Sequence, residues 1–473
     1  YTSLRLDARL LAKLLTESYP ANSLVRDNDP ALAHNPTNIT LDPEFQALNP
    51  DLPHYPSIEA AATLSAISTD ADLMWALTSY INADKEARAW LNGQPDPWGM
   101  TVNPNYLGIS LPVESWPLLD NFTLPKSYID SGINPCYSYS PAPYLQLIAN
   151  PSALLATIVQ NIQFAVSNVD IDCPNGIPGD VPTLRLQVQG RQPAGHRFVL
   201  GVTSLSAARR YDLDTAALQT SLAAPDPGAR FTGAAGRQFV APDDASLRAA
   251  ARLLRPDAAQ HTWTLDTARV SHTAGAYPGT MPVYADVPTV GLPHATAAHL
   301  ARFLHYAAAR GQQPGTANGQ LPPGYLPLTA ANGMAAFADF TGRAAAAVAA
   351  QRGAQPPLAA PPAPPARTGG GSAGPPPPGA GTTPGDASGP TPPAATPATS
   401  SGTPKPGGDA SSGPGTVGVR AVGSYSRLGS WLLPIVLLVG ALCALAGPAL
   451  RYPARVRATA VAARRAARRA VRR

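Results

Sequence analysis

The sequence predicts an α/β domain, a linker unable to form a core, and a single membrane span. Three observations carry this reading. Through residues 1–350, short apolar runs alternate with stretches of helical periodicity, the pattern of a mixed or parallel sheet with helices packed on it. Residues 353–418 are dominated by Pro, Gly, Ala, Ser and Thr, a composition that cannot bury enough apolar surface to order itself. Trp431 to Leu450 carries no charge and has the ~20 residues a helix needs to cross ~30 Å of hydrocarbon.

The elements follow in chain order. "LDARLLAKLLTESY" sets Leu6, Leu10, Leu11, Leu14 and Leu15 on one helical face, with Asp7 near the start. "DADLMWALTSYI" opens on Asp70, a good N-cap, and runs through apolar Leu73, Trp75, Ala76, Leu77 and Tyr80. "DKEARAWLNG" ends on Gly93, placed as the residue just beyond the helix. "SALLATIVQNIQFAV" is a further helix. "RFVLGVT", Arg197 to Thr203, reads as a short buried strand that turns into a helix at "SLSAARRY". "APDDASLRAAARLL" starts a helix around Asp243, Asp244 and Ser246, and "ATAAHLARFLHYAAARG" is a long one closed by Gly311. Prolines, aromatics and two cysteines concentrate between residues 92 and 195, which reads as an inserted, disulfide-stapled subregion.

Charge fixes the orientation. Nine arginines and no acid follow the span in residues 451–473, so this tail is expected in the cytoplasm and the 1–350 domain outside. With those nine set apart, the net charge of +5 becomes −4 for residues 1–450, which excludes nucleic acid as an expected partner. Arg464/465, Arg468/469 and Arg472/473 recur every four residues, a basic helical face suited to anionic lipid headgroups. The linker would reach about 200 Å as polyproline II, enough to act as a spacer through a cell wall. A chain exported in this orientation needs an upstream signal, and the sequence opens on Tyr1, so an N-terminal part is expected to precede it.

Cys443 lies in the span, which leaves Cys136 and Cys173 on the oxidising side, where they can pair as a disulfide or remain two buried thiols. The eight histidines show no metal-ligand spacing, and no nucleophile elbow or helical HExxH pair is present. No catalytic residue, metal or cofactor is therefore assigned, and an enzyme is not expected. Trp98 and Trp116, beside prolines, suit core or loop anchoring and alternatively carbohydrate stacking.

"DPEFQALNP", "ARAWLNGQPDPWGMTVNPNY" and "GQLPPGYLP" resemble surface-anchored relatives in actinobacteria, and three longer stretches in order resemble the phosphate-binding proteins of ABC transporters, within the type II periplasmic-binding-protein superfamily. They are "LRLDARLLAKLLTESYP", then "FVLGVTSLSAARRYDLDTAALQTS" with "GRQFVAPDDASLRAAARLL", then "AYPGTMPVYADVP" followed by "AAHLARFLHYAAARGQ" and "LPPGYLPLT". The resemblance implies a two-lobed fold that closes on an oxyanion such as phosphate through helix N-termini and hydroxyls. It also implies an N-terminal lobe lying mostly upstream of Tyr1. The family motif, roughly R-x-D-x-S-G-T, matches "SAISTDADLMWALTSYI" without its Arg and Ser-Gly, which nominates Ser68, Thr69 and Asp70 as ligand residues. Helix-capping hydroxyls are the competing reading for that stretch. The expected function is a membrane-tethered, extracellular solute-binding module, with a structural or adhesive surface protein as the alternative.

Overall fold

The computed structural model describes residues 4–358, apart from 22, 55–60, 133–135, 137–150, 167–170, 173–186, 189, 196 and 221–226. All of them belong to the first of two compact units, residues 1–370. The chain from 359 onward, with the expected span and basic tail, lies outside the described residues, and so does Cys173. Among the described residues no helix is long and apolar enough to cross a membrane.

The architecture is mixed α/β. Strand β1 (Leu4–Leu6) leads into α1 (Ala8–Leu15) through Asp7, whose carboxylate accepts from the Leu10 N–H and caps the helix. After α2 (Ser23–Asn28) comes α3 (Pro43–Leu48), capped by Asp42, with Pro43 at the first position, where its missing N–H costs nothing. There follow β2 (Ala66–Ile67), α4 (Asp72–Ala83), α5 (Lys85–Leu91), α6 (Lys126–Asp130), β3 (Pro151–Ser152) and α7 (Leu155–Phe164). Next come β4 (Ile171–Asp172), β5 (Gln187–Val188), α8 (Leu205–Arg210), β6 (Ala216–Thr220), β7 (Gln238–Val240) and α9 (Asp244–Ala251). The described chain ends with β8 (Arg255–Asp257), β9 (Thr262–Thr264), α10 (Thr267–Ser271), α11 (His294–Ala308) and α12 (Ala335–Ala350).

Strand β6 is the centre of a three-stranded sheet, parallel to β1 and antiparallel to β7. A second, smaller pairing sets β2 parallel to β3, and Ser65 beside it bridges Gly201. The β4–β5 and β8–β9 pairs are separate antiparallel ribbons. Helices α4 and α5 pack on α1, which is buried on every face, its arginine and lysine included. Trp90, Tyr106, Phe45, Leu10 and Leu14 anchor this main core, and Met100, Val102, Trp116, Leu124 and Ile158 from the 92–195 stretch join it. Truncating a buried tryptophan such as Trp90 costs about 3–5 kcal/mol. Its indole N–H, which donates to the Met100 carbonyl at 3.0 Å, leaves no polar debt inside. A smaller cluster joins α11 to α12, and another lies around Ala250, Val270 and Ala276.

Four expectations are corrected. Helix α4 begins at Asp72 and not at Asp70, because the Ala71 N–H donates to the Glu114 carbonyl at 2.8 Å and holds residues 68–71 as a loop. Of its expected apolar residues Ala76 and Tyr80 are buried, alongside Met74, Thr78 and Ile81, whereas Trp75 is 48% exposed. Thr78 fits there because its hydroxyl bonds the Met74 and Val113 carbonyls, which offsets the cost of burying it. Residues 197–203 form one bridge at Gly201 rather than a strand, since Ser65 alone pairs there, through the Leu200 carbonyl and the Val202 N–H. Helix α11 ends at Ala308, and Gly311 falls in the 3-10 turn Arg310–Gln312, which tightens the terminus. The remaining helix starts agree with the sequence: Ser204 caps α8, and Asp243 and Ser246 form a reciprocal capping box on α9. Gly93, at φ +96°, follows the C-cap Asn92 of α5.

Candidate functional site

The nominated residues Ser68, Thr69 and Asp70 are all exposed, in the loop after β2. The Ser68 N–H donates to the Ser152 carbonyl at 3.0 Å, and the side-chain capping reading fails, since α4 starts after Ala71 with no side-chain cap. Ser68 lines a cavity of about 20 Å³; Thr69 and Asp70 do not. The other walls are Leu14, Leu15, Leu64, Ala66, Ile67, Trp116 and Leu118, with Glu17 and Thr63 as further polar residues. That volume holds a water or two, or the tip of a larger group.

Glu17 is the only ionisable residue in this lining. It reaches the cavity through the end of α1. Glu17 N–H donates to the Leu14 carbonyl and Ser18 N–H to the Lys13 carbonyl, the paired bonds of a Schellman motif. The position beyond the C-cap is usually glycine because its φ is positive, and Glu17 holds it at φ +52°. Its carboxyl is 3% exposed and accepts from the Tyr106 hydroxyl at 3.2 Å through Oε1, while Oε2 has no hydrogen-bond partner. Burial, reinforced by the Asp120 carboxylate, pushes its pKa up to about 9. Trp116, 6% exposed, stacks on Tyr106 at 5.8 Å between ring centres, and its indole N–H is likewise without a partner. Trp116 is therefore inaccessible to a stacked sugar. Trp98, half-buried, sits edge-on to Phe231 at 5.2 Å.

A second polar constellation lies in the core. Lys13 is wholly buried, and its Nζ donates to Asp42 at 2.7 Å, Glu44 at 2.7 Å and Asp96 at 2.6 Å. Arg9, one turn earlier on α1, forks onto Glu44, with Nε 2.8 Å from Oε1. Tyr19 donates to Asp42 at 2.8 Å. Arg237 reaches in from before β7 to bond Glu86 at 2.8 Å and lies 3.9 Å from Asp7 and over the Phe231 ring. Burial opposes the charge on Lys13 and Arg9, yet their carboxylate neighbours outweigh it and raise both pKa values. Glu44 feels the same burial, overcome by Lys13 and Arg9, and is held at about 2. Burial, with Glu44 alongside, raises Asp7 well above the usual carboxylate range.

Two carboxylate groups here have ligand atoms close enough for a cation: Asp42, Glu44 and Asp96, and Asp7, Glu44 and Glu86. Lys13 Nζ already bonds all three of the first group, and the Arg9 and Arg237 guanidinium groups crowd the second. The protein supplies its own cations, so the cluster is a structural pin that ties α1 to the 42–44 and 96 turns and to α5.

Cys136 is fully buried and disulfide-bonded; the expected pairing with Cys173 falls outside the described residues. Asn38, in an acceptor sequon, is buried and caps the short turn Ile39–Leu41. Sequence reasoning missed Glu17, Arg9 and Lys13. The signals were present: an acid where a helix ends without glycine, and an i, i+4 basic pair on a helix otherwise built of Leu and Ala. Compared with protein-family models, with curated proteins and with solved structures, the chain matches none.

Proposed function

We propose that the chain is a membrane-tethered surface module whose folded domain acts as a structural or adhesive scaffold and not as a receptor for phosphate. The observation that carries this is the lining of the cavity beside Ser68. An oxyanion receptor surrounds its ligand with backbone N–H groups, hydroxyls and cations. Here seven of the ten lining residues are apolar or aromatic, and none is a lysine or arginine. Arg9 and Lys13, which could serve an anion, are committed to carboxylates in the core. The tether rests on Trp431–Leu450 and the arginines after it, and the extracellular placement of the domain on the same charge asymmetry. The two-lobed, phosphate-closing reading keeps Ser68 in its favour, through its place on the cavity wall.

Calorimetric titration of phosphate and of sulfate into the full chain in detergent tests this. The expected result is no saturable heat with either ion. Saturable heat that weakens in Ser68→Ala or Thr69→Ala would overturn the scaffold reading and restore the solute receptor.

A further inference from the structure

We propose that the cavity between α1, β2 and Trp116 is a hydrogen-bond-donor pocket in which the Glu17 carboxyl and the Trp116 indole grip a neutral carbonyl oxygen of an amide or ester. This deepens the scaffold reading and rests on it for placing the partner outside the cell.

The proton positions follow from the bonds around Tyr106. Its hydroxyl oxygen accepts from the Leu119 N–H at 3.1 Å, so its own proton goes to Glu17 Oε1 at 3.2 Å. Oε1 is thus the acceptor oxygen, and in a neutral carboxyl the proton sits on the other oxygen, Oε2. Burial and the neighbouring Asp120 carboxylate favour that neutral form and outweigh the Tyr106 hydroxyl bond, which favours the anion. Asp120 is an acid, Tyr106 a phenol, and the Asn103 amide bonds both the Glu17 carbonyl and Asp120. Oε2–H and the indole N–H are then two buried donors with no acceptor, on residues lining one cavity. An orphaned buried donor is destabilising until an acceptor arrives.

A carbonyl oxygen matches this pair because it has two lone pairs and no hydrogen. An anion matches less well: it would lose its hydration among Leu14, Leu15, Leu64 and Ile67 and face the Asp120 carboxylate. The volume of about 20 Å³ admits the oxygen, while the rest of the group stays at the rim, where Ser68 and Leu118 are exposed. Glu17 also holds a left-handed backbone, φ +52°, which glycine would adopt without strain.

The test is the indole N–H resonance of Trp116 in full-length, 15N-tryptophan-labelled protein in detergent micelles, identified by its loss in Trp116→Phe. N-methylacetamide is titrated in, with sodium acetate and sodium phosphate in parallel. The expected result is a saturable shift of that one signal with the amide, absent in Glu17→Met and retained in Glu17→Gln, whose N–H replaces the carboxyl proton. The other five tryptophan signals report that each variant is folded. No shift with the amide, the same shift in Glu17→Met, or a shift with acetate or phosphate instead would overturn the proposal. The oxyanion calorimetry at Ser68 and Thr69 has its own readout, so a failure of the amide titration leaves the scaffold reading untouched.

Discussion

Replacing Lys13 with methionine isolates the ionic pin at the centre of the core. Methionine fills nearly the same space, so the substitution removes charge and leaves packing largely intact. The ammonium bonds three carboxylates at 2.6–2.7 Å, and all four side chains are 0% exposed. Removing one partner of a buried ion pair costs about 3–5 kcal/mol, because the remaining charge is buried without compensation. With Asp42, Glu44 and Asp96 all losing the ammonium at once, the upper end applies, about 5 kcal/mol, comparable with the whole stability of many domains. At about 2 °C per kcal/mol the midpoint falls by roughly 10 °C, read by thermal unfolding of the full chain with near-ultraviolet circular dichroism. The pH dependence has a definite sign. The folded pKa of Glu44, about 2, lies below its ordinary 4.5. Its stabilisation is therefore complete above pH 4.5 and is lost as pH falls toward 2. The variant has already lost much of it, so the gap between the two proteins is widest above pH 4.5 and narrows in acid. A loss below about 1 kcal/mol, or a gap that widens in acid, would refute the claim that the pin holds the core.

Three further outcomes follow from named contacts. Gly201→Ala should cost about 1–3 kcal/mol in denaturant unfolding, because the new Cβ would sit 2.7 Å from Ile158 and 2.9 Å from both Ile162 and Ser65. Asp243→Ala removes the reciprocal cap of α9 and should cost about 1 kcal/mol by the same measurement. Glu17→Gln should change how stability varies with pH. The raised folded pKa, about 9 against an ordinary 4.5, means the wild type loses stability as pH rises from 4.5 to 9, and the glutamine variant should not. Unfolding midpoints taken across that range should therefore move in favour of the variant.

Local rules made much of the helical content legible. Asp7, Ser204 and Asp243 cap helices where the sequence placed them, since a cap depends only on the residues beside it. On α4 the apolar residues Ala76 and Tyr80 are buried, but Thr78 and Trp75 were not legible, because burial there is set by partners far along the chain: Thr78 is inward through Val113, and Trp75 outward although it is apolar. The sheet order was not legible either, because pairing β1 with β6 joins residues near 5 to residues near 217. The polar core was hidden for the same reason. Lys13 alone suggests a solvated helix face, and only the fold brings Asp42, Glu44 and Asp96 around it. At the site, the sequence reached Ser68 but not Glu17, whose importance comes from a tertiary contact with Tyr106 and from the missing partner of its second oxygen.

Lysine labelling decides whether the folded domain stands outside the membrane, on which the surface-module reading depends. The four lysines, Lys13, Lys85, Lys126 and Lys405, all precede the expected span, and the tail beyond it contains only arginine as a basic residue. Lys85 and Lys126 are exposed. A membrane-impermeant, amine-reactive biotin applied to intact cells should label the chain at these lysines as fully as after permeabilisation. Labelling that requires permeabilised cells would place the domain inside and contradict the tethered-surface reading.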